Sequence, residues 1–350
     1  MRRLFFFLLL FCLTALSTGP ATAQPVELVD MLGHRVVLPA QVDRIVTTFK
    51  PATLTALSLG LGDRLVGLDG NSRYDPLQIK IYPQLQDLPS VGSKSTGINF
   101  ESLLAVDPDL VILYSQKDGK ELASRLESHG IPCLFVLPET FAGIEESLHL
   151  IAQAVGEPER ATRVISAMRH ATDLAAKYTG NIPEAQRKTV YFSSPKSFLS
   201  TAGGDMLQDS IIRKAGGINC AQALSGYFRQ ISPEQLLLWN PDMLCIAGHA
   251  RRGACSMLSR SSFSQLRALK TGATYCFPSN LAPWDFPSPL SALGSLWMAK
   301  RLYPERMKDV DLLHEIDRFH TQIFGKSFQE MDGKLEDMTP YSAPVTEQSI

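Results

Sequence analysis

The apolar positions along the chain fall into three regimes. Residues 4–16 are almost uniformly apolar, preceded by Arg2 and Arg3 and followed by the small-residue stretch Ala21-Thr22-Ala23. That run is shorter than the roughly 20 residues a bilayer requires. It reads as a secretory signal peptide over 1–23, cleaved before Gln24, which places the mature protein in the periplasm. Beyond it, short apolar runs alternate with helix-period segments. The pattern predicts a hairpin over 26–39 turning at Gly33, strands over 44–49, 65–68, 110–114 and 132–137, and helices from Lys50-Pro51 to Gly60 or Gly62, over 101–106 and over 120–129. From 141 to 178 no strand signal occurs. Two helices are expected there, 141–155 and 158–178, the second starting on Pro158 and reaching about 31 Å at about 1.5 Å per residue. The alternation then resumes, with strands over 189–192, 243–246 and 274–277 and helices over 206–215, 263–266 and 290–303. Short apolar strands between helices imply parallel sheets covered on both faces. The expected organisation is therefore an α/β fold: a first lobe over 24–157, a bridging helix over 158–179, a second lobe over 180–325 and a frayed tail over 326–350.

Composition narrows the function classes. The chain has 350 residues, 45% of them hydrophobic and 20% charged, enough for two well-packed domains. Lys and Arg number 34 against 35 Asp and Glu, and loss of Arg2 and Arg3 with the leader leaves 32 against 35, a net charge of −3. A nucleic-acid binder would carry a basic surface, so that partner class is not expected. Five cysteines remain after cleavage: Cys133, Cys220, Cys245, Cys255 and Cys276. Their spacing matches no zinc pattern. Each reads as a small buried apolar residue, with one disulfide in the second half as the rival reading. The seven histidines are scattered, so no resident metal is expected; only His249, at a strand end, is placed to contact a metal carried by a ligand. The glycines of Gly60-Leu61-Gly62 follow a helix and precede a strand, the reverse of a dinucleotide loop. Neither a nucleophile elbow nor a phosphate loop is present, and a binding protein rather than an enzyme is expected.

An internal repeat links the lobes. Asn99-Phe100-Glu101 leads to Pro108-Asp109 as Ser232-Pro233-Glu234 leads to Pro241-Asp242, each acid seven residues before its proline. Both segments read as a capped helix turning at Pro-Asp into a core strand. Two such lobes leave a cleft between them, lined by the loops after the strand ends. The candidate ligand contacts in those loops are Lys50, Arg73, Tyr74 and Tyr114 from the first lobe. From the second they are Lys196, Tyr227, Phe228, Arg229, His249, Arg251, Arg252 and Trp284. Aromatic rings interleaved with cations suit a large, flat, partly anionic chelate.

The order and spacing of several motifs resemble one family. They are Asp30-x-x-Gly33-x-x-Val36-x-Leu38-Pro39, Arg44-Ile45-Val46, Asp63-Arg64-Leu65-Val66-Gly67, the two repeated segments, and Ala215-Gly216-Gly217-x-Asn219-x-Ala221. Together, from Val26 to about Gly325, the chain resembles the substrate-binding proteins of ABC importers for iron-siderophores, haem and cobalamin, the class III periplasmic binding proteins. The resemblance implies two Rossmann-like lobes joined by one long helix, a shallow cleft with little hinge closure, and no cofactor beyond the chelate carried as ligand. It implies an inner-membrane permease dimer with ATPase subunits as partner, Glu101 and Glu234 each meeting a permease arginine, and a monomer in solution. A molybdate-type oxyanion binder, or a sensor on the same fold, is the alternative.

Overall fold

The structure, a computed structural model, describes residues 25–93, 97–114, 119–247, 257–258 and 261–335. The leader and its cleavage site, Cys255, and the candidate contacts His249, Arg251 and Arg252 lie outside the described residues. The first lobe opens with β1 (Val26–Val29) and β2 (Arg35–Leu38), an antiparallel hairpin. Its turn holds Gly33 at φ +81°, a backbone conformation that disfavours any residue with a Cβ. Then follow β3 (Ile45–Thr47), α1 (Lys50–Ser58), β4 (Leu65–Gly67), α2 (Pro76–Ile81), the two-residue pair β5 (Gly92–Ser93) and β6 (Gly97–Ile98), α3 (Phe100–Leu104), β7 (Leu110–Tyr114), α4 (Gly119–Glu127), β8 (Cys133–Val136) and α5 (Phe141–Ala154). The principal sheet has the order β4-β3-β7-β8, all parallel. Its strands are apolar on both faces because helices cover both.

The bridge is α6 (Pro158–Thr179), 22 residues with Pro158 in the first turn. The second lobe contains β9 (Thr189–Ser193), β10 (Ser200–Thr201), α7 (Leu207–Lys214), β11 (Ile218–Asn219), β12 (Arg229–Gln230), α8 (Pro233–Trp239), β13 (Met243–Ile246), α9 (Arg267–Lys270), β14 (Thr274–Cys276), α10 (Ser291–Leu302) and α11 (Leu312–Phe324). Its sheet runs β12-β10-β9-β13-β14, with β11 also pairing with β9. β11, β9, β13 and β14 are parallel, whereas β10 and β12 add an antiparallel edge that the apolar pattern did not signal, being two residues each. Sequence periodicity also missed α11.

One continuous core contains Ile112 and Leu134 of the first lobe, Ile165 and Met168 of α6, and Phe192 and Leu296 of the second. Helix α6 packs on α5 from one side and on α10, α11 and α7 from the other. Apolar packing is thus shared by both lobes through α6.

Residues 326–335 correct the expectation of a tail frayed from 326. Phe328 and Met331 are buried, Lys80 of α2 forms an ion pair with Asp332, and the Lys334 N–H donates to Asn280 Oδ1 at 2.7 Å. Two apolar side chains anchor a stretch too short to show a period, and it ties the first lobe to the loop after β14. Among the described residues Cys133, Cys220 and Cys245 are free thiols.

Candidate functional site

The repeated segments do the same structural work in both lobes. Asn99 and Ser232 cap α3 and α8, accepting from the N–H groups of Ser102 and Gln235 at 2.9 and 3.2 Å. A left-handed residue stands immediately before each proline: Asn240, at φ +42°, ends α8, and Asp107, at φ +44°, lies three residues beyond α3. The following aspartates then fasten the sheets. Asp109 Oδ2 accepts from Asp43 N and Arg44 N at 2.9 Å, just ahead of β3. Asp242 Oδ2 accepts from Thr189 N at 2.8 Å, at the first residue of β9. Glu101 and Glu234 stand exposed in the first turns of their helices. Hydrogen bonding from its own backbone N–H and from Ser232 holds the Glu234 carboxyl below the usual range.

At the strand ends a cavity of about 510 Å³ opens between the lobes, within the size range of small-molecule sites. The C-terminal end of β7 and the segments that follow β3, β4 and β8 contribute Tyr114, Phe49, Lys50, Asp69 and Glu139; the second lobe faces them with Gln208, Tyr227, Phe228, Asp285 and Phe286. A second cavity of about 410 Å³ shares Lys50, Pro195, Asp285 and Phe286 with the first, so the two are parts of one cleft. The rings come in pairs. Phe49 and Tyr114 stack with centroids 4.7 Å apart, and Tyr227 meets Phe228 edge-on at 5.0 Å. Lys50 Nζ lies 5.9 Å from the Phe286 ring centroid, spanning the lobes.

The polar groups of the two walls differ in their partners. Lys50 is the one Lys or Arg on the cleft wall among the described residues, and it is ion-paired with the buried Asp75, which also caps α2 through Gln78 N. Burial raises the Asp69 carboxyl, opposed by bonds from Ser72 Oγ, the Asn71 and Ser72 amides and Thr53 Oγ1. Burial raises the Tyr227 hydroxyl as well, with the Glu139 charge across the cleft adding to it. Asp285 is 4% exposed, and burial pushes its carboxyl up to about 6, countered by its own backbone N–H.

Of the ligand contacts expected from sequence, the structure brings Lys50, Tyr114, Tyr227 and Phe228 together on the wall. Four stand off it. Arg73 donates from Nε and Nη2 to the Gln86 carbonyl at 3.1 and 2.7 Å, and Tyr74 is 76% exposed. Lys196 and Arg229 are exposed, the latter on the edge strand β12. Trp284 is a correction: it is fully buried in the shared core. The turn at 284–285 sends its ring inward and leaves Asp285 and Phe286 at the cleft, while Gly294 of α10 lets the helix approach the Trp284 carbonyl so closely that a Cβ there would sit 2.6 Å from it. A glycine inside an otherwise apolar helix was the signal for this close approach. Glu139, Gln208 and Phe286 were missed. Glu139 was within reach of the strand-end rule that selected Tyr114, since it lies three residues beyond β8.

The periplasmic binding protein family is matched over residues 45–281, more than half of the chain. The chain belongs to that family. It is 24% identical to the molybdate-binding protein MolA of Haemophilus influenzae across 92% of this chain and 97% of that one. It is also 29% identical to the vitamin B12-binding protein of Yersinia pseudotuberculosis across 64% of this chain and 76% of that one. The solved structure of MolA with molybdate superposes with a TM-score of 0.76 at 24% identity, covering 86% of this chain and 98% of that one. Helicobacter pylori CeuE with Ni(II) bound gives 0.74 at 20% identity, covering 88% and 98%. These likenesses place the fold among the class III binding proteins, with the long bridging helix and parallel sheets seen here. The relatives named for what they bind are binding proteins rather than enzymes.

Proposed function

We propose that the protein is the exported substrate-binding component of an ABC importer, and that it captures a metal chelate of siderophore, haem or cobalamin type and presents it to the membrane permease. The observation that carries this reading is the cleft: about 510 Å³, walled by paired aromatic rings from both lobes. Rings of this kind give a flat or polycyclic ligand large contact area at low entropic cost. Lys50, Tyr114, Tyr227 and Phe228, joined by Phe286, are the proposed contacts. Glu101 and Glu234, exposed at equivalent helix starts on the two lobes, are the proposed docking points for the permease, acting through steering and orientation. The protein works as a monomer seated across a permease dimer, whose ATPase subunits supply the energy for transfer.

A molybdate-type oxyanion is the second reading, favoured by the likeness to MolA along nearly the whole chain. Against it, the described wall carries three carboxylates, and its one cation is already paired. Calorimetric titration of the mature chain with ferric siderophores, haemin, cyanocobalamin and molybdate decides between them. Saturable binding of one chelate is expected; saturation by molybdate alone would replace the first reading with the second.

A further inference from the structure

The second-lobe wall holds two hydrogen-bond acceptors, Asp285 and Gln208, that the described residues leave short of donors. Asp285 borders both parts of the cleft, and among the described residues the one hydrogen bond its carboxylate receives is from its own backbone N–H. Among the described residues no ion pair reaches it, and the Lys50 ammonium on the same wall is held by Asp75. Beside it, the amide nitrogen of Gln208 donates to the Asp285 carbonyl at 2.9 Å, which fixes the orientation of the side chain and leaves Oε1 buried with no donor. Gln208 is 6% exposed and lines the same cavity.

Buried acceptors left unmet are destabilising, and native structures rarely keep them without a reason. One such oxygen beside a carboxylate with a single donor, on one wall of a binding cleft, is explained if the missing donors arrive with the cargo. We infer that Asp285 and Gln208 form a donor-reading wall, which selects cargo presenting N–H groups, as ammonium or primary amide, and turns away cargo presenting only anionic oxygen. In the low-dielectric cleft a hydrogen bond from an ammonium to a carboxylate is among the stronger ones available, whereas an oxyanion at the same place meets a like charge. The inference rests on the cleft being the cargo site, and it narrows the proposed chelates to those with an N–H-bearing edge.

The test has a binding arm and a ligand-free arm. In the first, wild type and Asp285→Asn are titrated with ferrioxamine B, whose pendant amine is protonated, with its N-acetylated counterpart, with cyanocobalamin, and with haemin and molybdate as anions. The expected result is tightest binding by an amine- or amide-bearing probe, with affinity lowered on the order of tenfold in Asp285→Asn and anion binding unchanged or tighter. Tightest binding by an anion, or equal affinities in the two proteins, overturns the inference. In the second arm the empty proteins are melted at pH 8. Asp285→Asn is expected to melt a few degrees higher, because the unpartnered charge is gone. An equal or lower melting temperature means the carboxylate is already satisfied within the protein, and this too overturns the inference. Failure of every probe to bind either protein removes the proposed cargo class and leaves the melting comparison to decide.

Discussion

The two walls of the cleft are built from corresponding strand-end loops, yet they handle charge in opposite ways. On the first-lobe side the buried carboxylates are closed off. Asp75 holds Lys50 and caps α2, and Asp69 collects bonds from two hydroxyls and two backbone amides. Among the described residues Asp285, on the second-lobe side, has nothing but its own amide, and its neighbour Gln208 keeps a bare oxygen. A carboxylate with a full set of partners is scaffold, fixed whether or not ligand is present. One without partners is stable only because the rest of the fold tolerates it, and that is the mark of a group whose partner comes from outside.

The same contrast divides the aromatic residues, and here the largest effect is expected. Trp284 and Phe286 are two residues apart, one in the core and one at the cleft. Trp284→Ala should cost about 3 to 5 kcal/mol of folding stability, as for other large buried aromatic residues, measured by urea unfolding of the ligand-free protein. Phe286→Ala should leave stability close to wild type and weaken cargo binding by about 1 to 2 kcal/mol. If Phe286→Ala were the more destabilising of the two, the division between core and cleft drawn at residue 285 would be wrong.

A somewhat smaller effect sharpens the comparison of the carboxylates. The Asp285 carboxyl is raised to about 6 in the folded chain, against about 4 when unfolded. The native state therefore holds its proton more tightly, and the penalty of the buried charge is fully present above about pH 6. It is relieved as pH falls and is gone below about pH 4. Asp285→Asn should accordingly be the more stable protein at pH 7 by something on the order of 3 kcal/mol, with the difference closing by pH 4. Paired urea titrations across that range isolate the one group from the other carboxylates. A difference that does not change with pH would mean that the charge at 285 is not what the variant removes.

How far the sequence could reach follows from the same distinctions. The two lobes and the bridging helix were legible because their signals are local: short apolar runs, a proline at a helix start, and the Glu-to-Pro-Asp spacing whose caps and left-handed residues recur at both sites. The strand-end rule put Lys50, Tyr114, Tyr227 and Phe228 on the cleft wall, where they stand, for the same reason. Trp284 was misplaced because a ring in a loop after a strand looks the same whether the turn sends it to the core or to the cleft, and only the approach of α10 at Gly294 decides. Tyr74 and Arg73 were selected by residue type, but the short helix over 72–74 points one into solvent and binds the other to Gln86. Gln208 left no signal at all, because an unsatisfied oxygen is a property of what surrounds it.

The smallest effect on the molecule itself is expected at Glu101 and Glu234, where the lobes are most alike. Both carboxylates are exposed, and neither makes an ion pair with another part of the described chain. Each sits at the positive end of a capped helix, so reversal to Arg removes a minor favourable contact and leaves the Asn99 or Ser232 cap in place. Folding and cargo affinity of Glu101→Arg, Glu234→Arg and the double variant should match wild type in calorimetry, while cargo uptake into cells should fall with each and be lost with both. The two single variants should be equally impaired, since the equivalent helix starts would meet equivalent subunits of a two-fold permease. A cargo affinity that changed with either reversal would move that residue from the docking face to the cleft, and strongly unequal uptake would show that the lobes, alike in their caps and turns, do not share the membrane contact equally.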